Sequence, residues 1–457
     1  MSAIARIAEF VVKTRLDDCP RDAIASVRRA ALDSLGVMLA GSTEPIARIV
    51  REVARAEGST PLCTVVGAAL RTSPTWAALA NGAAGHAHDF DDTSFALMGH
   101  PSVPLFATAL AAGEAEPADG ASVTLAYLLG FEVDAAIGSA INPDHYTRGW
   151  HATATIGTIG CATAAARLLG LDLGQVQHAL GLAVSLASGL KENFGTMTKP
   201  YHAGHAARNG VLAAMLAREG LTASESALDG KQGFLVATGP SPAPTAALAT
   251  ALDGLGQRWH VLESGVAVKP YPSCALTHSA IDALLELKAR HGFTAEQIAS
   301  IEVGVNHVVP TVLIHPAPTT ALECKFSMQF CAAAAAAEGR VDLRSFDETE
   351  IREPVRSLMA RVTMVVDPAL PDRLEQHAWS RVTVRLRDGR TLASAARGAT
   401  GHHDQPLTDE ALRAKFLVCC DGTLAPGEAV SIAEQLEHFE AIPDIRALTS
   451  RLVADRD

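Results

Sequence analysis

The stretch Val382-Thr383-Val384-Arg385-Leu386 alternates apolar and polar residues, and Asp388-Gly389 follows it closely. Alternation with a period of two is typical of a β-strand that has one buried face, and Asp-Gly is a common turn between two antiparallel strands. Ile301–Val305 shows the same alternation, and Val362–Val366 is rich in β-branched residues. The sequence therefore predicts an α+β unit between residues 266 and 404.

The chain on either side of that unit has the pattern of helices. Ser73-Pro74 is typical of the N-cap and the first residue of a helix. Thr408 precedes two acidic residues, which is the pattern of an N-cap with a favourable first turn. We therefore predict a mostly α fold, in which residues 1–265 and 405–457 form a large all-helical domain and residues 266–404 form a smaller inserted α+β lid domain.

Composition and charge exclude several classes of protein. With 457 residues, of which 48% are hydrophobic and 19% are charged, the chain can bury a large core and exceeds the usual size of one domain. We find no uncharged apolar run with membrane flanks and no export signal at the N-terminus. The formal net charge of -12 and the lack of basic runs argue against nucleic acid as a partner. We therefore expect a soluble protein that binds neither nucleic acid nor membranes.

The eight cysteines are scattered along the chain, and none belongs to a Cys-x-x-Cys pair. Secreted disulfide scaffolds are small and rich in cysteine, so this long chain is not one of them. The spacing of a zinc ribbon is also absent. We expect a protein of the reduced cytoplasm.

Acids and imidazoles are concentrated at the end of the apolar helix pattern that begins at Pro74. The segment is His86-Ala87-His88-Asp89-Phe90-Asp91-Asp92-Thr93, and Gly99-His100-Pro101-Ser102 follows it. Carboxylates are almost never fully buried unless they are paired, so these acids need partners, a solvated mouth or a substrate. We interpret the segment as a functional site, although capping of the helix end explains one of the acids equally well.

Imidazoles and carboxylates are also the usual ligands of divalent metals. A metal-dependent hydrolase that uses His86, His88 and Asp91 is therefore an alternative. In a helix, residues two positions apart point about 200° from each other, so His86 and His88 do not share one ion. We predict that the protein binds no metal.

A histidine and a tyrosine lie at the start of a later helix pattern. His151, in Gly149-Trp150-His151, precedes a long Ala/Gly-rich segment, and Tyr146 lies five residues earlier. The free backbone N–H groups of a helix start favour an anion. This turn is a candidate for substrate binding.

Two lysines occur in turn-rich contexts. Lys199 directly precedes Pro200, which predicts an extended conformation that projects its ammonium into a cleft. Lys269 precedes a helix that carries His278. Two lysines and three histidines in such contexts predict one cationic pocket for carboxylates.

Five motifs, in order along nearly the whole chain, resemble the MmgE/PrpD family. They are His86 to Thr93, Gly99 to Ser102, Gly149 to His151, Thr198 to Pro200 with His202, and Lys269-x-Tyr271-Pro272 with His278. Members of the family include 2-methylcitrate dehydratase, cis-aconitate decarboxylase and iminodisuccinate epimerase, all enzymes of small di- or tricarboxylates. The resemblance implies an all-helical domain formed by both chain ends, an inserted α+β domain, a homodimer, and no metal or organic cofactor.

Carried over to this sequence, the resemblance also implies an active cleft between the two domains. The cleft would be lined by Asp89, Thr93, His100, His151, Lys199, Lys269 and His278. His202 is assigned to substrate binding beside them. Because all of these positions are filled, the sequence argues against a non-catalytic helical binding protein, which is the remaining alternative.

The chemistry shared by such enzymes suggests a role for each residue. Breaking a bond next to a carboxylate builds up negative charge, which lysines and protonated histidines stabilise. An epimerase needs a proton-transferring group on each face of the carbon, and we assign Lys199 and Tyr146 to these positions. Asp89 would orient a histidine. The remaining residues would bind the substrate: Thr93, His100, His151, His202, Lys269 and His278.

The sequence leaves the reaction open. Cys274 and Phe330 stand where the decarboxylase has a histidine and a tyrosine, and dehydratases lack the Gly149-Trp150-His151 turn. The motifs are most similar to those of the iminodisuccinate epimerase. We therefore predict an epimerase-like proton transfer. The alternatives are a decarboxylase of the cis-aconitate type and a hydro-lyase of the 2-methylcitrate type, in which His151 or His100 would protonate the leaving hydroxyl.

Overall fold

The computed structural model describes residues 1–239, 244–346, 350–373 and 376–453. Helices dominate the described residues, and the strands form two small sheets. The predicted fold class, mostly α with a smaller α+β part, is confirmed. The domain boundaries near residues 265 and 405 stay predictions, and residues 454–457 of the predicted helical domain lie outside the described residues.

The first part of the chain is a succession of helices. Their bounds are α1 Ala3–Lys13, α2 Arg21–Gly41, α3 Pro45–Glu57, α4 Pro74–Gly85, α5 Ser102–Ala115, α6 Gly120–Ile141, α7 Asp144–Thr147, α8 Ala152–Leu168, α9 Leu173–Leu186, α10 Thr198–Arg218, α11 Phe234–Thr238, α12 Pro244–Leu252 and α13 His260–Glu263. A two-stranded antiparallel sheet, formed by β1 Cys63–Thr64 and β2 Arg71–Thr72, lies between α3 and α4.

The second part of the chain contains a four-stranded sheet. Its strands are β3 Ile298–Val305, β4 Val362–Val366, β5 Ser380–Leu386 and β6 Thr391–Ala393, and the helices around it are α14 Ala275–His291, α15 Ala321–Cys324, α16 Met328–Glu338 and α17 Val355–Met359. The strand order is β4-β3-β5-β6, in which β3 is parallel to β4 and antiparallel to β5. The three strands and the hairpin predicted from alternation are therefore confirmed.

The chain returns to helices at its end. These are α18 Asp409–Cys420, α19 Pro426–Leu436 and α20 Ile445–Thr449. Thr408 is the N-cap of α18, as its sequence predicts, because its side chain accepts a hydrogen bond from the N–H of Ala411.

Buried apolar side chains form two large clusters. The main core draws on most of the helices α1–α13 and again on α18–α20. The second core draws on α14–α17 and β3–β6, together with Phe194. Both ends of the chain therefore share one core, while the sheet-containing part has a core of its own.

Helix α6 is long and apolar enough to cross a membrane by length and composition alone. However, 94% of its most apolar window is buried inside the protein. It is a helix of the main core, packed against α8 and α5.

Two glycines bring α4 and α10 together. A Cβ on Gly82 would lie 2.7 Å from the Cα of Gly204, so only glycine permits this approach. The contact places the end of α4, where His86 is the C-cap, beside the start of α10, which carries Lys199. Residues 113 positions apart in sequence thus become neighbours.

Three helices begin near this contact. His100 lies just before α5, His151 is the N-cap of α8, and Lys199 is in the first turn of α10. The backbone N–H of His100 donates to Thr153 Oγ1 at 2.9 Å, which ties the start of α5 to that of α8. Helix N-termini carry partial positive charge, so their convergence favours an anionic ligand.

Candidate active site

A cavity lies where the main core faces the second core. The volume of this cavity is about 90 Å³. Seven of the nine residues predicted for the site line it: Asp89, Thr93, His100, Tyr146, His151, Lys199 and Lys269. The cavity therefore brings together residues from widely separated parts of the chain.

Two buried lysines converge on one carboxylate. Lys199 Nζ lies 2.5 Å from Asp89 Oδ1, and Lys269 Nζ lies 2.9 Å from Asp89 Oδ2. Lys269 also donates to the backbone carbonyl of Asp89 at 2.8 Å, and Lys199 donates to His86 Nε2 at 2.7 Å. An ammonium has three N–H donors, so each lysine retains one for a ligand in the cavity.

The backbone at Asp89 is held in an unusual conformation. Its φ is +52°, in the left-handed region that residues other than glycine rarely adopt. Such geometry is costly and persists where surrounding contacts impose it. Here Lys269 binds both the carbonyl and the carboxylate of Asp89, which fixes the turn.

Asp91 holds the two neighbouring imidazoles. His86 Nδ1 lies 2.8 Å from Asp91 Oδ1, and His100 Nδ1 lies 3.3 Å from Asp91 Oδ2. Because His86 Nε2 accepts a hydrogen bond from Lys199, its proton must be on Nδ1 and points to Asp91. Asp89, to which the sequence assigned an orienting role, lies 3.6 Å from His100 Nε2, so both aspartates contact this imidazole.

The two carboxylates are ionised despite complete burial. Burial alone would raise the pKa of Asp89, but the ammonium groups of Lys199 and Lys269 outweigh it and hold that pKa well below its usual range. Burial likewise opposes ionisation of Asp91, and the imidazoles of His100 and His86 hold its pKa well below the usual range. Burial lowers the pKa of Lys199, so this ammonium gives up a proton more readily than an exposed lysine does.

Burial lowers the pKa of the histidines that line or support the site. It lowers the pKa of His86 to about 4 and that of His151 well below its usual range, and Lys199 adds to both shifts. Burial also lowers the pKa of His100. These lowered pKa values disfavour the protonated histidines that we expected to stabilise negative charge, and Lys199 and Lys269 are the ammonium groups that contact Asp89.

Tyr146 lines the cavity as an undissociated phenol. Burial raises its pKa well above the usual value, and Lys191 Nζ, 3.8 Å from the centre of the ring, does not reverse the shift. A raised pKa keeps the phenol protonated and makes it a weaker acid. The predicted role of Tyr146 in proton transfer stays a prediction.

Two predicted substrate-binding residues do not line the cavity. His202 Nδ1 lies 3.0 Å from His151 Nδ1, so His202 supports His151 from behind. His278 Nε2 contacts the carbonyl of Ser273 at 3.0 Å, and burial lowers its pKa to about 3. Helix periodicity could not distinguish a side chain that lines the cavity from one packed behind it.

The start of α10 differs from the prediction at Lys199. Proline was expected to keep the preceding lysine extended, but α10 begins at Thr198 and includes both Lys199 and Pro200. Proline is tolerated in the first turn of a helix because its missing N–H would have no partner there. The lysine therefore reaches the cavity from a rigid helix.

Four potential metal ligands lie close together at the cavity. Oxygen or nitrogen atoms of His86, Asp89, Asp91 and His100 all lie within 4.8 Å of one another. The ammonium of Lys199 already contacts two of them and supplies positive charge there. His88 points away and contacts the carbonyl of Ala40 at 3.3 Å, which agrees with the predicted divergence of His86 and His88.

Sequence reasoning missed two buried lysines near the site, Lys191 beside Tyr146 and Lys325. Lys325 is 3% exposed, and burial lowers its pKa to about 8. It lines a small neighbouring cavity together with Lys199 and donates to the carbonyl of Pro272 at 3.1 Å. No motif marks this lysine in the sequence.

The two residues noted as departures have different positions. Cys274 lines the cavity, and burial raises the pKa of its thiol to about 11, so it is uncharged. Phe330 lies in the second core, where its ring packs 5.3 Å from that of Phe346, and it does not line the cavity. Only the difference at Cys274 therefore bears directly on the ligand.

Comparisons with known proteins agree with the motifs. Residues 5–246 match the family model of the MmgE/PrpD N-terminal domain, and residues 271–440 match that of the MmgE/PrpD C-terminal domain. The chain is 30% identical over 440 residues to the cis-aconitate decarboxylase of Homo sapiens, covering 93% of this chain and 89% of the relative. It is 30% identical over 441 residues to that of Mus musculus, covering 93% and 88%, and 24% identical over 469 residues to that of Aspergillus terreus, covering 98% and 95%.

Proposed function

Because this chain is an enzyme of the MmgE/PrpD family, we propose that it is a carboxy-lyase that removes carbon dioxide from a small di- or tricarboxylate without a cofactor. The observation that carries the proposal is the pair of lysines on Asp89, each with one N–H left for a ligand. Similarity to cis-aconitate decarboxylases along 93% of the chain supports this choice of reaction.

The lysines and the phenol have complementary roles in this reaction. The bond between the carboxylate carbon and its neighbour breaks, carbon dioxide leaves, and the remaining electron pair takes up one proton. Lys199 and Lys269 stabilise the negative charge that develops, because their positions are fixed before the substrate binds. Tyr146 supplies the proton, because its raised pKa keeps the phenol protonated until the electron pair is released.

An epimerase is the second candidate. The observation in its favour is that Tyr146 and Lys199, the two residues assigned to opposite faces of the carbon, both line the cavity. Epimerisation would require Tyr146 to act as a base in one direction. Burial opposes the phenolate in both reactions, so the similarity to cis-aconitate decarboxylases is why we rank the lyase first.

A panel of citrate-like and aspartate-like acids tests the proposal. Each acid is incubated with enzyme in heavy water and followed by proton NMR, with carboxyl-labelled substrate used to detect released carbon dioxide. We expect one acid to be consumed with release of labelled carbon dioxide. Deuterium exchange at the α-carbon without consumption would establish an epimerase instead, and formation of an alkene with loss of water would establish a dehydratase.

We also propose, from the family resemblance, that the enzyme is a homodimer of the cytoplasm whose partner is a small anionic substrate. Light scattering on the purified protein measures the mass directly, for comparison with 47.7 kDa for one chain. A monomeric mass at micromolar concentration would contradict the dimer.

A further inference from the structure

Lys191 is a buried lysine that none of the roles assigned above uses. It is 8% exposed and lies behind the residues that line the cavity. Its Nζ lies 3.8 Å from the centre of the Tyr146 ring and donates to the backbone carbonyl of Tyr146 at 3.1 Å. The ammonium therefore contacts Tyr146 twice, once at the ring and once at the backbone.

Backbone pairing fixes this lysine beside the tyrosine. Residues 189–191 run antiparallel to residues 149–151, the turn that leads from α7 into α8. The N–H of Lys191 donates to the carbonyl of Gly149 at 2.8 Å. Tyr146 belongs to α7, directly before this turn. The pairing of these two segments therefore sets the position of the ammonium over the ring.

Lys191 has no carboxylate partner among the residues that the structure describes. The acidic group that acts on its pKa is the thiol of Cys274, which is itself uncharged at pH 7. Burial lowers the pKa of Lys191 to about 8, so the side chain is still mostly protonated at pH 7. A buried ammonium without a counter-charge is costly, and such groups are concentrated at functional sites. A neighbour that becomes negative during the reaction would supply the missing charge.

Tyr146 is such a neighbour, because it becomes a phenolate when it gives up its proton. Burial, Cys274 and Asp89 all raise the pKa of this phenol, so the phenolate needs a positive charge close by. The two lysines that line the cavity are already bound to Asp89. A phenolate shares its charge with its ring, whose face the ammonium of Lys191 covers, so the two opposite charges attract.

We propose, as a refinement that rests on the proposed function, that Lys191 is a positioning residue that makes Tyr146 an effective acid. The O–H bond of Tyr146 breaks, and its proton goes to the carbon that holds the electron pair left by carbon dioxide. The phenolate that remains is paired with the ammonium of Lys191. A proton from solvent then restores the phenol, and the lysine keeps its own protons throughout. Lys191 thus acts on the reaction only through Tyr146.

A titration of the phenol tests this inference without turnover. Tyr146 is replaced by 2,3,5-trifluorotyrosine in the full-length enzyme, because the fluorines make the phenol more acidic and their NMR signals report its ionisation. We expect Lys191→Met to raise the pKa of this phenol by at least about one unit, since a cation in contact with the ring is lost. Lys191→Arg keeps the charge and should retain most of its effect on the phenol.

The exposed Lys231→Met is the matched control and should leave the phenol pKa unchanged. Circular dichroism identifies the variants that are folded. Lys191→Gln also removes the charge, so either neutral variant that folds decides the question. An unchanged phenol pKa in a folded neutral variant would overturn the inference.

A double-mutant cycle gives a second measurement, made with the acid of the panel that the enzyme consumes or exchanges. We expect Lys191→Met to lower kcat by at least about tenfold with little change in KM, because the phenolate forms only during the reaction. In a Tyr146→Phe background the same replacement should change kcat by less than about twofold, since no phenolate forms there. Losses that multiply independently would show that Lys191 does not act through Tyr146.

The titration separates this inference from the proposed function. It needs no substrate, so its result does not depend on which bond the enzyme breaks. A phenol pKa that responds to Lys191 in an enzyme that releases no carbon dioxide would keep the inference and remove the carboxy-lyase. Release of carbon dioxide by an enzyme whose phenol pKa does not respond to Lys191 would do the reverse.

Discussion

One short loop carries three buried aspartates, and they differ in their partners. Asp89 contacts two ammonium groups and Asp91 contacts two imidazoles, so both have a pKa well below the usual range. Asp92 accepts a hydrogen bond from the N–H of Ser102 at 3.3 Å, and burial together with the nearby Asp33 raises its pKa well above the usual range. Burial is nearly the same for all three, so the neighbouring groups decide which carboxyl is ionised.

The loop therefore has an ionised side and a side that retains a proton. On the second side, Lys415 of α18 pairs with Asp33 at 2.5 Å and donates to the carbonyl of Phe90 at 2.7 Å. Even so, burial raises the pKa of Asp33. The first side faces the cavity and is suited to chemistry, whereas the second fastens the loop to α2 and α18.

The largest effect should follow removal of the cation that bridges Asp89 and His86. We expect Lys199→Met to lower kcat by about a thousandfold, because stabilisation of the developing charge is lost. The fold should remain, since Lys269 still balances Asp89. Turnover and thermal unfolding of the variant measure both, with the exposed Lys231→Met as a control. Near-normal turnover of Lys199→Met would show that the ionised side is not the reacting side.

A direct test of the comparison replaces each kind of carboxyl by its neutral isostere. We expect Asp89→Asn to lower kcat by about a hundredfold, because the carboxylate that holds both ammonium groups in position is lost. Asp92→Asn should change kcat by less than about threefold, since an amide replaces a carboxyl that is already neutral. Steady-state kinetics of the two variants measure the difference, and equal losses would mean that the two carboxyls are in the same ionisation state.

The pH dependence of stability should have opposite signs for the two residues. The pKa of Asp92 is raised in the folded protein, so above about pH 4 this carboxyl ionises in the unfolded chain while it stays protonated in the folded one. Wild type therefore becomes less stable as pH rises. Asp92→Asn has no carboxyl at this position and does not lose this stability. The depressed pKa of Asp89 means that its contribution is present above pH 4 and is lost as pH falls below it.

Thermal unfolding between pH 3 and pH 7 measures these contributions. The Tm of Asp92→Asn relative to wild type should rise with pH, by a few degrees in total for about 1 kcal/mol. The Tm of Asp89→Asn relative to wild type should instead become more negative over the same range. Parallel slopes for the two variants would contradict the assignment of opposite ionisation states.

The smallest expected effect is that of a chelator. If lysines rather than a metal keep Asp89 and Asp91 ionised, EDTA should leave turnover unchanged. Activity is measured before and after dialysis against the chelator and again after addition of single divalent metals. If activity is lost and one metal restores it, a metal ion rather than the lysines keeps Asp89 and Asp91 ionised.

Much of the fold could be predicted from local patterns. Alternation identified β3 and β5, and Thr408 marked the start of α18, because these signals depend on neighbouring residues only. The start of α10 was misjudged because the steric rule for a residue before proline does not apply within the first helical turn. Such exceptions depend on the position within the element, which a dipeptide does not reveal.

The sequence predicted which residues lie at the site better than it predicted what each residue does there. Motifs identified Asp89, Lys199 and Lys269, yet the orienting function of Asp91 depends on where two imidazoles meet it in space. Lys325 has no motif at all and reaches the site through packing of the second core. Ionisation states depend on burial and partners, neither of which a linear pattern contains.

The hydrogen bond from Lys415 to Phe90 joins residues 325 positions apart. During synthesis the loop that carries Asp89 leaves the ribosome long before the lysine that fastens it, and contacts of such separation form late because closing long loops costs entropy. The nascent chain thus holds every lining residue of the cavity before it holds the loop in place. A chain that ends before Lys415 therefore carries the reactive groups without the contact that fastens their loop.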